Sequence, residues 1–175
     1  MGLQDDLVAS FRWVDGHADI WPWFARAELF ASVTEALANP FQGQQITKVV
    51  GIEARGFLLA GAVARELGAG VIPIRKPGAI FPGPLLSIKT SPDYRGRTIE
   101  LLRQEGILTA SDRVLVVDDW LETGSQMSAA IDSVRTARAE VVGVSVIVDD
   151  SDVASSDLLP LFHALLRVEA LGSSD

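Results

Sequence analysis

Cysteine is absent from the whole 175-residue chain. Disulfide stapling, thiol catalysis and cysteine-ligated zinc are therefore excluded, and an intracellular setting is expected. Long apolar runs are missing as well. None approaches the roughly eighteen residues that a membrane helix needs, so no membrane partner is expected. Basic residues are outnumbered, 15 Lys and Arg against 23 Asp and Glu, for a formal net charge of −8. That balance argues against nonspecific binding of nucleic acid by the surface as a whole. It leaves room for a local anion site, because a few Arg and Lys side chains can hold an anion on an acidic protein. Asp5 and Asp6 stand where a secretory leader would carry positive charge, and a cytoplasmic location follows as the expectation.

What is present is ordinary globular material: 48% hydrophobic and 22% charged residues in a length that suits one domain with a real core. The spacing predicts a short helix over 3–13 and a longer one over 25–38, with Leu29, Phe30, Val33, Ala36 and Leu37 on one face and Asn39-Pro40 as its stop. Then short apolar runs alternate with helices: strands at 48–52, 70–74, 113–117, 141–148 and 162–168, helices at 56–67 and 125–138. Alternation of this kind means βαβ units, hence an α/β fold with a central parallel sheet flanked by helices. Residues 76–98 hold Pro77, Gly78, Pro82, Gly83, Pro84 and Pro92, too many breakers for a core element. Long excursions of this kind are usually functional.

In open parallel sheets ligands bind beyond the C-terminal strand ends. Three such ends carry polar residues: Glu53-Ala54-Arg55-Gly56, Arg75-Lys76 and Asp118-Asp119. The last is the most informative. An apolar strand runs into two adjacent acids, then a loop, Glu122-Thr123-Gly124-Ser125-Gln126, that opens a helix. Adjacent carboxylates can accept hydrogen bonds from vicinal sugar hydroxyls or stand close to a divalent cation. The free N–H groups at a helix start favour a phosphate, and glycine allows close backbone approach. The alternative is a pair of solvated acids before a capped helix.

Val114-Leu-Val-Val-Asp-Asp-Trp-Leu-Glu-Thr-Gly-Ser125 resembles the phosphoribosyl pyrophosphate (PRPP) signature of type I phosphoribosyltransferases. Val50-Gly-Ile-Glu-Ala-Arg-Gly-Phe57 and Ile74-Arg-Lys-Pro-Gly78 narrow the resemblance to the adenine phosphoribosyltransferase branch, over about residues 17–150. The resemblance implies a fold of that type, with an N-terminal hood segment over about 1–40 and a flexible loop over about 77–98. It implies that Asp118 and Asp119 hold the ribose hydroxyls, and that Glu122, Thr123, Gly124, Ser125 and Gln126 cradle the 5′-phosphate. Arg55 would meet the pyrophosphate, in a loop with a non-proline cis peptide near Glu53-Ala54. Arg75 and Lys76 would stand near the pyrophosphate or the dimer contact. Mg²⁺ would be the cofactor, touching Asp118 and Asp119 only indirectly, with PRPP. The partners implied are PRPP, a purine base with adenine favoured, and a second copy in a homodimer.

Several positions depart from the family pattern. The phosphate loop carries Glu122 and Gln126 where Ala and Thr are usual. A carboxylate about 5 Å from a phosphate costs roughly 3 kcal/mol at an effective dielectric near 20, so Glu122 must point outward, pair with an Arg, or weaken the site. Asp93-Tyr94 replaces Glu-Tyr, with Asp93 in the position thought to assist proton transfer at the base and Tyr94 beside it; Ala79 replaces a lysine. His17-Ala18 replaces the stacking Phe and its neighbouring Arg. Trp21 and Trp23 read as core or dimer-contact aromatics, His163 as an ordinary strand residue, and Asp149-Asp150-Ser151-Asp152 as a solvated acidic turn. Two functional alternatives stand beside the adenine enzyme: a phosphoribosyltransferase for another base, and a non-catalytic domain that binds PRPP or a nucleotide. The chain carries no helix-turn-helix or basic arm to serve such a sensor as output.

Overall fold

The computed structural model describes residues 2–78, 80–91, 98–151 and 161–172. Its centre is a five-stranded sheet in the order β4-β3-β7-β8-β9, formed by Lys48–Ile52 (β3), Gly70–Ile74 (β4), Arg113–Leu121 (β7), Glu140–Asp149 (β8) and Phe162–Arg167 (β9). Every pairing in it is parallel. Parallel sheets are covered on both faces, and the strands alternate accordingly. Val49, Leu115 and Val117 face one cluster with Leu59, Ala60 and Val63 of helix α4 (Arg55–Leu67) and Leu29, Val33 and Leu37 of α3 (Ala27–Ala38). Val50, Val114 and Val116 face the other, with Met127, Ala130, Ile131 and Val134 of α5 (Ser125–Thr136). Gly68, at φ 67°, ends α4 in the left-handed conformation that favours glycine.

The N-terminal segment differs from expectation. The helix α1 stops at Ser10 (Leu3–Ser10), and Arg12–Val14 (β1) pairs antiparallel with His17–Asp19 (β2). Asp15 and Gly16 both take positive φ, 50° and 73°, the requirement of a two-residue primed turn. The second helix is also broken: Trp21–Ala25 (α2) and α3 are separated by Arg26, whose backbone is extended. Asn39-Pro40 does not end the helical path at once, since Asn39–Phe41 continues as a 3-10 turn. Trp23 is core, 1% exposed, whereas Trp21 is 54% exposed.

Between β4 and β7, Leu85–Lys89 (β5) and Glu100–Gln104 (β6) form an antiparallel pair within and just after the stretch expected to be irregular. β6 is tied to the main sheet through a bridge from Arg75 to Leu102. It is tied to α5 by the buried Arg103, which donates to Ser133 Oγ (3.1 Å) and Ser133 O (3.1 Å). This cation neutralises the carbonyl end of α5 in place of an acid partner. β7 outruns its apolar residues, because β8 continues beside it and pairs Asp118 with Val146 and Trp120 with Val148. The two acids thus sit on a paired strand end.

The acidic turn after β8 is not solvated. Asp149 is 2% exposed, 2.7 Å from Arg167 Nη1, and accepts from Ser151 N and Oγ (3.1 and 2.6 Å). Burial opposes the Asp149 charge, but these donors outweigh it and hold the carboxyl below its usual range. Asp152 lies outside the described residues. His163 is the strand residue expected, with Nε2 3.2 Å from Ala36 O and its pKa lowered by burial. Among the described residues no helix is long and apolar enough to cross a membrane.

Candidate active site

The strand ends of β3, β4, β7 and β8 open into one cavity of about 760 Å³. Its floor is set by close backbone approach. Gly56, at the start of α4, lies so near β7 that a Cβ there would stand 2.7 Å from Asp118 Oδ1 and 3.3 Å from Val117 O. Gly51 of β3 has no room either, since its Cβ would be 2.3 Å from Gly56 O. These two glycines let the first turn of α4 press against the acids.

The acids are unequal. Asp118 accepts the backbone N–H of Asp119 (3.0 Å), yet its carboxyl is pushed well above the usual range, by desolvation first and by the Asp119 charge next. Asp119 is 6% exposed, and Arg55 Nε stands 3.0 Å from its Oδ2. That ion pair lacks hydrogen-bond geometry, so Oδ2 is a buried oxygen with no hydrogen-bond donor. Buried acceptors are rarely left so, and a hydroxyl from a ligand would complete it. Glu53 is a fixed structural acid: it accepts Lys76 N–H (2.8 Å) and pairs with Arg75 Nη2 (3.3 Å). The Lys76 N–H leads the causes that lower its pKa. The peptide between Glu53 and Ala54 is cis.

Beyond β7 the loop 122–126 turns into α5. Gly124 takes φ 73°, Thr123 Oγ1 bonds Ser125 Oγ (3.1 Å), and the first residues of α5, Ser125, Gln126 and Met127, line the cavity. Glu122 is exposed and makes no ion pair among the described residues, and it stands on the edge of the same cavity. The opposite side is aromatic. Trp13 and Trp120 meet edge to face at 6.0 Å, Phe11 stacks against Trp120 at 6.4 Å, and Trp120 Nε1 donates to Asp150 Oδ2 (3.0 Å).

A helix-start loop, two adjacent acids and an aromatic wall thus share one cavity. The profile of the phosphoribosyl transferase domain matches residues 25–158. The chain belongs to the phosphoribosyltransferase family. It stands on the adenine phosphoribosyltransferase branch. It is 41% identical over 154 residues to the adenine phosphoribosyltransferase of Acidothermus cellulolyticus, covering 86% of this chain and 84% of that one. With the enzyme of Streptomyces clavuligerus it shares 44% over 155 residues, 85% of each. The crystal structure of adenine phosphoribosyltransferase from Rhodothermus marinus superposes with a TM-score of 0.83 at 34% identity, over 94% of this chain and 98% of that one.

The family frame sorts the expected site residues by position. His17, Arg55, Lys76, Asp118, Asp119 and the loop Glu122, Thr123, Gly124, Ser125, Gln126 all line the cavity. Arg75 is not among the lining residues; it holds Glu53, donates to Ile80 O (3.3 Å) and lies over the Phe81 ring at 5.5 Å. Asp93, Tyr94 and Ala79 fall outside the described residues. Sequence reasoning missed Trp13, Trp120 and Asp150, which the fold brings to the same cavity. The Asp15-Gly16 pair was the one available signal for the hairpin that delivers Trp13 and His17.

Proposed function

We infer that this chain transfers the 5-phosphoribosyl group of PRPP to a purine, with adenine the favoured base, releasing pyrophosphate and a nucleoside 5′-monophosphate. The observation that carries the reading is the buried, donor-less Oδ2 of Asp119 beside Asp118, at the mouth of a helix-start loop able to hold a phosphate. The ribose 2′- and 3′-hydroxyls would donate to the two carboxylates, and the Thr123–Gln126 backbone would take the 5′-phosphate. Charge then dictates the rest. As the C1′–O bond breaks, positive charge grows on the ribose ring and negative charge on the departing pyrophosphate. Arg55 and Lys76 are the cavity-lining cations placed to meet that leaving group. The base is held against the aromatic wall, so that its ring nitrogen attacks C1′ from a fixed direction.

Mg²⁺ fits as a passenger of PRPP. Among the described residues no three His, Asp or Glu groups cluster to hold a metal unaided. Mg²⁺ keeps most of its shell from water and substrate oxygens, with one or two carboxylates nearby, and Asp118 and Asp119 would take that place. When bound, it would neutralise the pyrophosphate oxygens. The reading also carries a cytoplasmic, homodimeric enzyme. Trp21, Leu58 and Ile80 are exposed apolar side chains that a partner copy would cover, and light scattering at micromolar concentration should give twice the 18.8 kDa chain mass.

The test is pyrophosphate release from PRPP and Mg²⁺ with adenine, guanine, hypoxanthine and xanthine in turn. Release with adenine leading supports the reading; PRPP binding without release from any base refutes turnover and leaves only a binding domain.

A further inference from the structure

We propose that Asp150 reads the substituent at position 6 of the purine, selecting an amino group and rejecting a carbonyl. The assignment rests on the phosphoribosyl-transfer reading above and deepens it. Asp150 follows β8 directly, and its backbone N–H donates to Leu121 O (2.8 Å), which pins it to the end of β7 beside the sugar-binding acids. Its Oδ2 accepts the indole N–H of Trp120 at 3.0 Å. Trp120 cannot swing away, because Trp13 meets its ring edge to face at 6.0 Å and Phe11 stacks on it at 6.4 Å. Trp120 and Asp150 both line the cavity, together with Trp13 and His17 from the β1–β2 hairpin. A flat ring finds apolar faces on this side, and the fixed polar group beside them is a carboxylate.

The chemistry of that carboxylate is one-directional. When ionised it only accepts hydrogen bonds. One oxygen is held by the indole, and no donor among the described residues bonds the other. A 6-amino purine presents two N–H donors at its exocyclic nitrogen, whereas a 6-oxo purine presents an acceptor there. An acceptor facing a fixed acceptor leaves both unpaired, and a site built on a polar contact discriminates far more sharply than one built on stacking alone. Trp120 supplies the orientation: it is a positioning residue, and Asp150 is the group that touches the base.

Nucleoside monophosphates test this without turnover, since AMP and IMP share the ribose phosphate and differ in the group at position 6. Calorimetry on the full chain should show AMP binding at least tenfold tighter than IMP. Asp150→Asn retains an oxygen for the indole and offers an amide N–H to the base. It should bring the IMP-to-AMP ratio of Kd to about one or below, while ribose 5-phosphate binds as in wild type. Trp120→Phe keeps a stacking ring but releases Asp150, and should cut the ratio at least threefold. It carries the test should Asp150→Asn fail to fold. A ratio that does not move in either variant, or a wild type without preference, overturns the role of Asp150 alone. A wild type that binds neither ribose 5-phosphate nor either nucleotide overturns the phosphoribosyl reading with it.

Discussion

Asp118→Asn should make the protein more stable and a poorer ligand of PRPP at the same time. Asp118 and Asp119 are consecutive carboxyls in a half-dry strand end. Two unit charges about 5–6 Å apart repel by roughly 3 kcal/mol at an effective dielectric near 20. Arg55, 3.0 Å from Asp119 Oδ2, offsets part of this, and the Asp118 pKa is raised by desolvation first and by the Asp119 charge second. The sign is set by linkage. The folded pKa lies above the unfolded value of 3.8, so the stabilising contribution is full below that value and is lost as pH rises through the folded pKa. At pH 7 asparagine removes the penalty, keeps an oxygen for the Asp119 N–H, and should gain about 1–2 kcal/mol. In a domain of this size that raises Tm by roughly 2–8 °C. Well below pH 3.8 the gain should vanish, because wild-type Asp118 is then protonated in both states. Calorimetric titration should meanwhile show PRPP with Mg²⁺ binding at least tenfold weaker, about 1.4 kcal/mol, for a lost charge-assisted bond to the ribose. A Tm gain independent of pH, or a lower Tm at pH 7, would refute the electrostatic account.

Gly56→Ala should damage the site more than the fold: its Cβ would stand 2.7 Å from Asp118 Oδ1, so the carboxylate must move, and PRPP affinity should fall about tenfold by calorimetry for an overpacking cost of about 1–3 kcal/mol. Arg103→Met removes the donors to Ser133 O and Oγ, leaving the Ser133 carbonyl with the Thr136 Oγ1 hydroxyl (2.7 Å) and the Ser133 hydroxyl without its guanidinium partner. Denaturant unfolding should report a loss of about 1–3 kcal/mol, and an unchanged midpoint would mean water replaces the guanidinium. His17→Phe should raise kcat/KM for adenine relative to guanine, hypoxanthine and xanthine without altering PRPP binding; four unmoved ratios would place His17 outside the base pocket.

The sheet was legible because its signal is local. Val49-Val50 and Val114–Val117 are apolar on both faces, as a doubly covered parallel strand must be, and Gly68 marks the end of α4. The phosphate loop was legible for the same reason, being one contiguous stretch. The aromatic wall was not. Trp120 directly follows the acids, but its partners Phe11 and Trp13 come from the N-terminal segment and Asp150 from the end of the next strand, and no periodicity links them. Glu122 could not be placed from sequence alone, since adjacency to the loop does not say which way its side chain points; it is exposed, on the edge of the cavity. Asp149 was misread in the opposite sense, since Arg167, eighteen positions later, is what makes its burial tolerable.

The free site is wired against itself in a way that favours a charged, hydroxyl-bearing ligand. Arg55 is held 3.0 Å from Asp119, yet the contact satisfies neither partner fully, because Oδ2 has no aligned donor. A ribose hydroxyl at Oδ2 would pair the orphaned oxygen, and a pyrophosphate would offer Arg55 anionic acceptors in exchange for half of an ill-aligned ion pair. Each half of the substrate thus relieves a defect created by the other half's partner. A ligand carrying only one of the two groups leaves one side of the Arg55–Asp119 contact uncompensated. Ribose 5-phosphate and pyrophosphate should therefore bind together more tightly than their separate affinities combine, by the fivefold or more that a coupling of about 1 kcal/mol gives. Titrating each in the presence and absence of the other measures it, and strictly independent binding would show that the contact is indifferent to what fills the cavity.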